Sequence, residues 1–204
     1  MTLLERNLSV LKGKNPELHS LLAAVPDDEA ITAEETGAGD RVPQVARGAK
    51  KVMVHSRFDP VKEAGRLLAD FDPQEYDLVI VFGVAFAYHL EALLPRLRPD
   101  ATLLALERRA GTLRAAMASR DLGALLADRR VRLAVDPDEE ALVSLLSSAS
   151  SYRITFITHR GSFQADPVYY NNLVRLVKAS LSRKEVNIAT LARFEKSWSA
   201  NIAR

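Results

Sequence analysis

Residues 51–165 predict an α/β domain with a Rossmann-like parallel sheet, and three observations carry the prediction. Strand-like and helix-like stretches alternate four times between Leu78 and His159, and such alternation is met by right-handed βαβ crossovers around a parallel sheet. The first of these strands, LVIVFGV from Leu78 to Val84, is an unbroken β-branched and apolar run, as expected of a central strand covered by helices on both faces. It runs straight into a helix through a glycine-containing turn, the place where open α/β sheets bind ligands.

Taken in order, residues 2–24 place Leu3, Leu4, Leu8, Leu11, Leu18, Leu21 and Leu22 at three- and four-residue spacings, with breaks at Gly13 and Pro16. That is an amphipathic helical arm. AITAEET, RVPQVA and KKVMVHS are short β-prone stretches separated by Gly37, Gly39 and Gly48, so a small meander that leans on a larger body is expected. Asp59 before Pro60 is a helix start, a capping side chain followed by proline at the first helical position. The core then reads strand LVIVFGV, helix AYHLEALLPRL, strand ATLLALE, one helix AGTLRAAMASRDLGALLA, strand VRLAVD, helix DEEALVSLLSSA and strand RITFITH. Asp166 and Pro167 open a helical segment that runs to Arg204, with a stripe of Leu173, Val177, Leu181, Ile188, Leu191, Trp198 and Ile202. The expected organisation is an arm and meander over residues 1–50, the α/β core over 51–165, and a C-terminal helical segment over 166–204 leading to a downstream domain. A stripe that persists so far favours self-association, a homodimer through the C-terminal helix.

At 204 residues, 48% hydrophobic and 26% charged, the composition is that of an ordinary globular protein with a sizeable core. The chain has no cysteine, which excludes disulfides, thiolate metal sites, iron–sulfur clusters and cysteine nucleophiles. The four histidines, His19, His55, His89 and His159, are far apart and show neither HxxxH nor HExxH spacing, so a metal centre is not expected. No apolar run approaches the 18 or so residues of a membrane span, and charges interrupt the N-terminal stretch MTLLERNLSVLKGKNPELHS. The expected compartment is the cytoplasm, with no membrane partner.

The net charge of +2 hides an asymmetry, since nine Lys and Arg face three Asp and Glu from residue 151 onward. Phosphate backbones would suit such a tail, but so would a solvated or partner-facing helix face, and nucleic acid is not the expected partner.

The richest ligand edge is Phe82-Gly83-Val84-Ala85-Phe86-Ala87-Tyr88-His89. A helix N-terminus follows Gly83, Glu107 closes the next strand where a carboxylate can accept ribose hydroxyls, and Asp136 closes the one after. Gly83, Ala85, Ala87, Tyr88, Glu107 and Asp136 are thus the candidate cofactor-binding residues; Gly83, Glu107 and Asp136 imitate the adenosine-binding layout of adenosylmethionine-dependent methyltransferases. A nucleotide loop commonly reads GxGxG, so that no Cβ blocks the approach. Ala85 and Ala87 narrow this one, and Phe86 is placed to fill the space of a cofactor. No cofactor is therefore expected to be required, and the ligand classes the loop would take are a sugar nucleotide or an adenosylmethionine-type molecule. His55, Ser56, Arg57 and Asp59 read either as an anion clamp or as capping residues with a paired arginine, and capping statistics favour the second. His89 and His159 read either as ligand contacts at the sheet's carboxyl edge or as partly buried residues with one hydrogen bond, the second being the commoner role of a lone histidine, and Tyr169, Tyr170, Phe194 and Trp198 read as packing aromatics.

NPELHSLL, HSRFDPVKEAGRLL, LVIVFGVAFAYHLEALL, the LALE strand end and SRKEVNIATLARFEKSWSANI together resemble the N-terminal region of motility-associated factor proteins, a bacterial family of flagellin glycosyltransferases. The resemblance spans nearly the whole chain, and HSRFDPVKEA and the last run are its most specific pieces. It departs at Ala85 and Ala87, where the family loop usually has glycines. It implies an accessory module whose partners are a downstream glycosyltransferase domain and a flagellin-like acceptor modified on Ser or Thr, with no catalytic residue in this chain. A small adenosylmethionine-dependent methyltransferase is the competing expectation.

Overall fold

The computed structural model describes residues 1–147 and 153–182. Its centre is a parallel four-stranded sheet in the order β6-β5-β4-β7, made of β4 (Leu78–Phe82), β5 (Thr102–Glu107), β6 (Val131–Val135) and β7 (Ile154–Thr158). The predicted Rossmann-like α/β architecture is therefore present. Leu78 pairs with Thr102 on one side and Ile154 on the other, and Phe82 pairs with Leu106 and Thr158. The chain steps outward from β4 to β6, then returns across β4 to β7, so the topological switch point lies at the carboxyl ends of β4 and β7.

β4 reads as a continuous apolar run because both of its faces are covered. Val79 and Val81 point into a core with Leu11, Leu22, Leu68, Leu90 and Met117. Leu78, Ile80 and Phe82 point into a second core with Leu142, Phe156, Tyr170 and Val177. Helices α1 (Leu3–Lys14) and α2 (Pro16–Ala24) form the arm and, with α3 (Pro60–Leu67), α4 (Tyr88–Leu93), α5 (Ala110–Ser119) and α6 (Gly123–Ala127), cover the first face. α7 (Glu139–Ser147), α8 (Arg160–Ala165) and α9 (Pro167–Ser182) cover the second. No helix among the described residues is long and apolar enough to cross a membrane.

The meander is an antiparallel sheet of β1 (Ile31–Glu35), β2 (Arg41–Arg47) and β3 (Lys50–Met53). Ile31, Val45 and Val54 bury themselves against Ala85, so the meander lies over the ligand edge of the parallel sheet. Asp59 caps α3 by accepting the Lys62 N–H at 2.7 Å, with Pro60 at the first position, as the sequence predicts. Ser56 Oγ accepts the Phe58 and Asp59 N–H groups, which is the capping reading of that cluster.

Three expectations are corrected. The helix expected over 110–127 breaks at Arg120, whose backbone is extended (φ −138°, ψ 149°). The buried Asn7 side chain makes the break affordable, since its amide donates to the Met117 and Arg120 carbonyls and its oxygen accepts the Leu122 N–H. The first core strand stops at Phe82 rather than Val84, because Gly83 turns to φ +94°. A separate short helix, α8, intervenes between β7 and α9. In the C-terminal stripe, Leu173, Val177 and Leu181 are buried in the second core, while Ile188, Leu191, Phe194, Trp198 and Ile202 lie outside the described residues.

Candidate functional site

The loop between β4 and α4 is bent by positive φ at three alternate residues, Gly83 (φ +94°), Ala85 (φ +48°) and Ala87 (φ +65°). Alanine is disfavoured there by about 1 kcal/mol, so the surroundings must hold the loop, and Glu107 does. One carboxylate oxygen, Oε2, accepts the Val84 N–H at 2.9 Å and the Ala85 N–H at 3.0 Å. The other, Oε1, accepts from the Arg108 and Arg109 N–H groups at 2.9 and 3.2 Å and from the Tyr170 hydroxyl at 3.2 Å. Five donors converge on one buried carboxylate, and Tyr170's own proton is held more tightly than in water because of burial and the adjacent charge.

The structure thus gathers Gly83, Ala85 and Glu107 into one knot. Phe86 is fully buried and belongs to the first core. Tyr88 faces the other way; its hydroxyl donates to the Arg41 carbonyl of the meander at 2.8 Å, and the Arg120 guanidinium lies 3.5 Å above its ring. Burial pushes the Tyr88 hydroxyl up to about 12. Asp136 is not brought to the knot, since its half-exposed side chain pairs with Arg108 at 2.8 Å. Beside Glu107, between the meander, α5 and α8, a cavity of about 20 Å³ remains, room for about one water.

On the other side of β4 the structure assembles what sequence spacing did not indicate. His55 follows β3, His89 sits in α4 and His159 ends β7, and all three are buried. The His89 and His159 rings stack with centroids 4.4 Å apart, and His55 lies 4.5 Å from His159. One ring nitrogen of each lies within 4.8 Å of one from each of the others. His55 Nδ1 meets Glu63 Oε2 at 3.2 Å and its Nε2 accepts the Phe86 N–H at 3.3 Å. His89 Nε2 donates to the Gly83 carbonyl at 2.8 Å, and its Nδ1 has no hydrogen-bond partner. His159 Nδ1 lies 2.9 Å from Ser162 Oγ and caps α8 at the Ser162 N–H. Burial lowers all three imidazoles below their ordinary range, His89 to about 3, with the neighbouring rings adding to the effect for His89 and His159 and Glu63 opposing it for His55. Only their positions at strand ends and a helix start, within reach of the switch point, signal this cluster in the sequence.

No family model and no curated protein matches the chain. Among solved structures, a protein-L-isoaspartate O-methyltransferase aligns with a TM-score of 0.39 and 12% identity over 75% of this chain and 47% of its own. Spermidine synthase from Thermotoga maritima aligns with a TM-score of 0.37 and 12% identity, over 76% of this chain and 63% of its own. The MAf glycosyltransferase from Magnetospirillum magneticum AMB-1 aligns with a TM-score of 0.55 and 14% identity over 72% of this chain. The likeness to that last structure is one of fold, and the aligned part spans 29% of the length of the neighbour.

Proposed function

We propose that this chain is an accessory Rossmann-like module of a glycosyltransferase of the motility-associated type, acting on Ser or Thr of a flagellin-like acceptor, and that it binds no nucleotide of its own in the Glu107 crevice. The observation that carries the second half is the bonding of Glu107. A carboxylate that already accepts from four backbone N–H groups and a tyrosine has little left to offer a ribose, and a ligand taking it would leave buried donors unpaired. The remaining cavity of about 20 Å³ compares with several hundred for a typical ligand site. The first half is supported by the fold shared with the glycosyltransferase neighbour and by the motif resemblance. The proposed partners are a downstream catalytic domain, the acceptor, and a second copy through the C-terminal segment.

The competing reading, a small adenosylmethionine-dependent methyltransferase, is favoured by one observation: the Gly83 loop sits at the topological switch point. Thermal unfolding with adenosylhomocysteine, and separately with a sugar nucleotide, decides between them. The accessory module shows no saturable rise in Tm with either. A saturable rise overturns the sealed crevice, by linkage of binding to stability.

A further inference from the structure

We propose that His55, His89 and His159 form a binding site for one borderline divalent transition cation of the Zn²⁺ class at the switch point between β4 and β7. Three of the chain's four histidines come from three separate segments and meet with one nitrogen each inside 4.8 Å. Zinc sites that keep a position open are commonly made of three protein ligands with water as the fourth.

Each ring also has an outer partner on one nitrogen. Glu63 takes His55 Nδ1, the Gly83 carbonyl takes His89 Nε2, and Ser162 Oγ takes His159 Nδ1. Carboxylate, backbone carbonyl and hydroxyl are the groups that orient metal-bound imidazoles. The other nitrogens are His55 Nε2, which accepts the Phe86 N–H at 3.3 Å, His89 Nδ1 and His159 Nε2. Of these, His89 Nδ1 is a buried acceptor with no partner at all, a group that folded proteins rarely leave unused. A cation supplies that partner.

Loading asks for small adjustments. His159 must carry its proton on Nδ1 and donate it to Ser162 Oγ, giving up the long 3.4 Å contact with the Ser162 N–H, and His55 Nε2 must release the Phe86 N–H that it accepts at 3.3 Å. The stacked His89 and His159 rings must tilt, because the in-plane lone pairs of parallel rings do not converge. Bonds of about 2.1 Å in tetrahedral geometry place ligand nitrogens about 3.4 Å apart, so the rings close by about an ångström. A cleft of about 230 Å³ lined by His55, Ser56, Glu63, Arg160 and Gly161 reaches the His55 end of the cluster. Failure of the metal site would leave the accessory reading untouched, since that reading rests on the bonding of Glu107.

The test is titration of the full, chelator-treated chain with Co²⁺ alone and Zn²⁺ alone, on native protein and on protein refolded with the metal present. Expected is one equivalent of Co²⁺ with the visible absorption of a four-coordinate nitrogen site, displaced by Zn²⁺, and a saturable rise in Tm. His89→Gln abolishes the absorption, Glu63→Gln, at a side chain 42% exposed, weakens binding about 10- to 100-fold, and His19→Gln leaves it unchanged. Absence of a saturable equivalent in both native and refolded protein overturns the site. So does binding that neither His89→Gln nor Glu63→Gln alters, which would mark it as surface adsorption.

Discussion

The two sides of β4 treat the same problem in opposite ways. On the β5 side, a buried carboxylate is surrounded by five donors and behaves as a rivet for the loop. On the β7 side, three buried imidazoles share fewer partners than they have nitrogens, and one acceptor is left over. Position at the ligand edge of a Rossmann-like sheet is common to both. Whether polar groups there are spent on the protein itself or held in reserve separates architecture from a site.

The largest expected effect removes what the two sides share. A Cβ on Gly161 would lie 1.8 Å from the Val54 carbonyl oxygen, a backbone atom that cannot move without lifting the meander. Gly161→Ala should cost about 3 kcal/mol or more, or abolish folding; a denaturant midpoint near wild type would show that the meander is not pinned there. Next, Glu107→Ala strands several buried N–H groups and should cost about 3 kcal/mol, against about 1 kcal/mol for Tyr170→Phe, which removes one of the five bonds. Equal, small losses would mean that water replaces the carboxylate and that the rivet is a hydrated, accessible group after all.

At the opposite edge of the sheet, Asp77 offers a calibration by pH. Burial alone would raise its carboxyl, yet hydrogen bonds from Arg153 and Arg98 hold it at about 2. The folded state therefore binds the proton less readily than the unfolded one, so this stability is whole above about pH 4 and is lost as pH falls toward 2. Asp77→Asn should cost about 1 kcal/mol at pH 7, after allowance for solvent screening, and nothing near pH 2; a pH-independent cost would contradict the ion-pair origin. The smallest effect belongs to Ala87→Gly. Relief of the φ +65° backbone offsets the loss of a buried methyl, leaving Tm within about 2 °C of wild type. A large stabilisation would mean that the alanines strain the loop far more than its φ values imply.

The sheet was legible because its signal is local and redundant. Val79 and Val81 face one core while Leu78, Ile80 and Phe82 face the other, and that forces the unbroken apolar run. The Asp59-Pro60 start of α3 was legible for the same reason. The break after Ser119 was not, since the residue that makes it tolerable is Asn7, more than a hundred positions away. The structure brings Gly83, Ala85 and Glu107 together, but the direction of the carboxylate is hidden in the sequence, which places it at a strand end without saying whether it faces a ligand or the loop. The histidine cluster depends on three long-range approaches, and no spacing rule for a single helix encodes them.

Asn7 carries a consequence for how the molecule is made. Its side chain closes bonds to residues 110 to 115 positions later in the chain, and Lys14 reaches the Leu126 carbonyl across 112. During synthesis the helical arm emerges well before the segment it clamps, so its apolar stripe waits without its docking face while β4 and β5 are still being delivered. Contacts of such sequence separation form late. The arm is thus an early-made, late-locked piece, whose apolar stripe stays uncovered until the segment around residues 117–126 has been made.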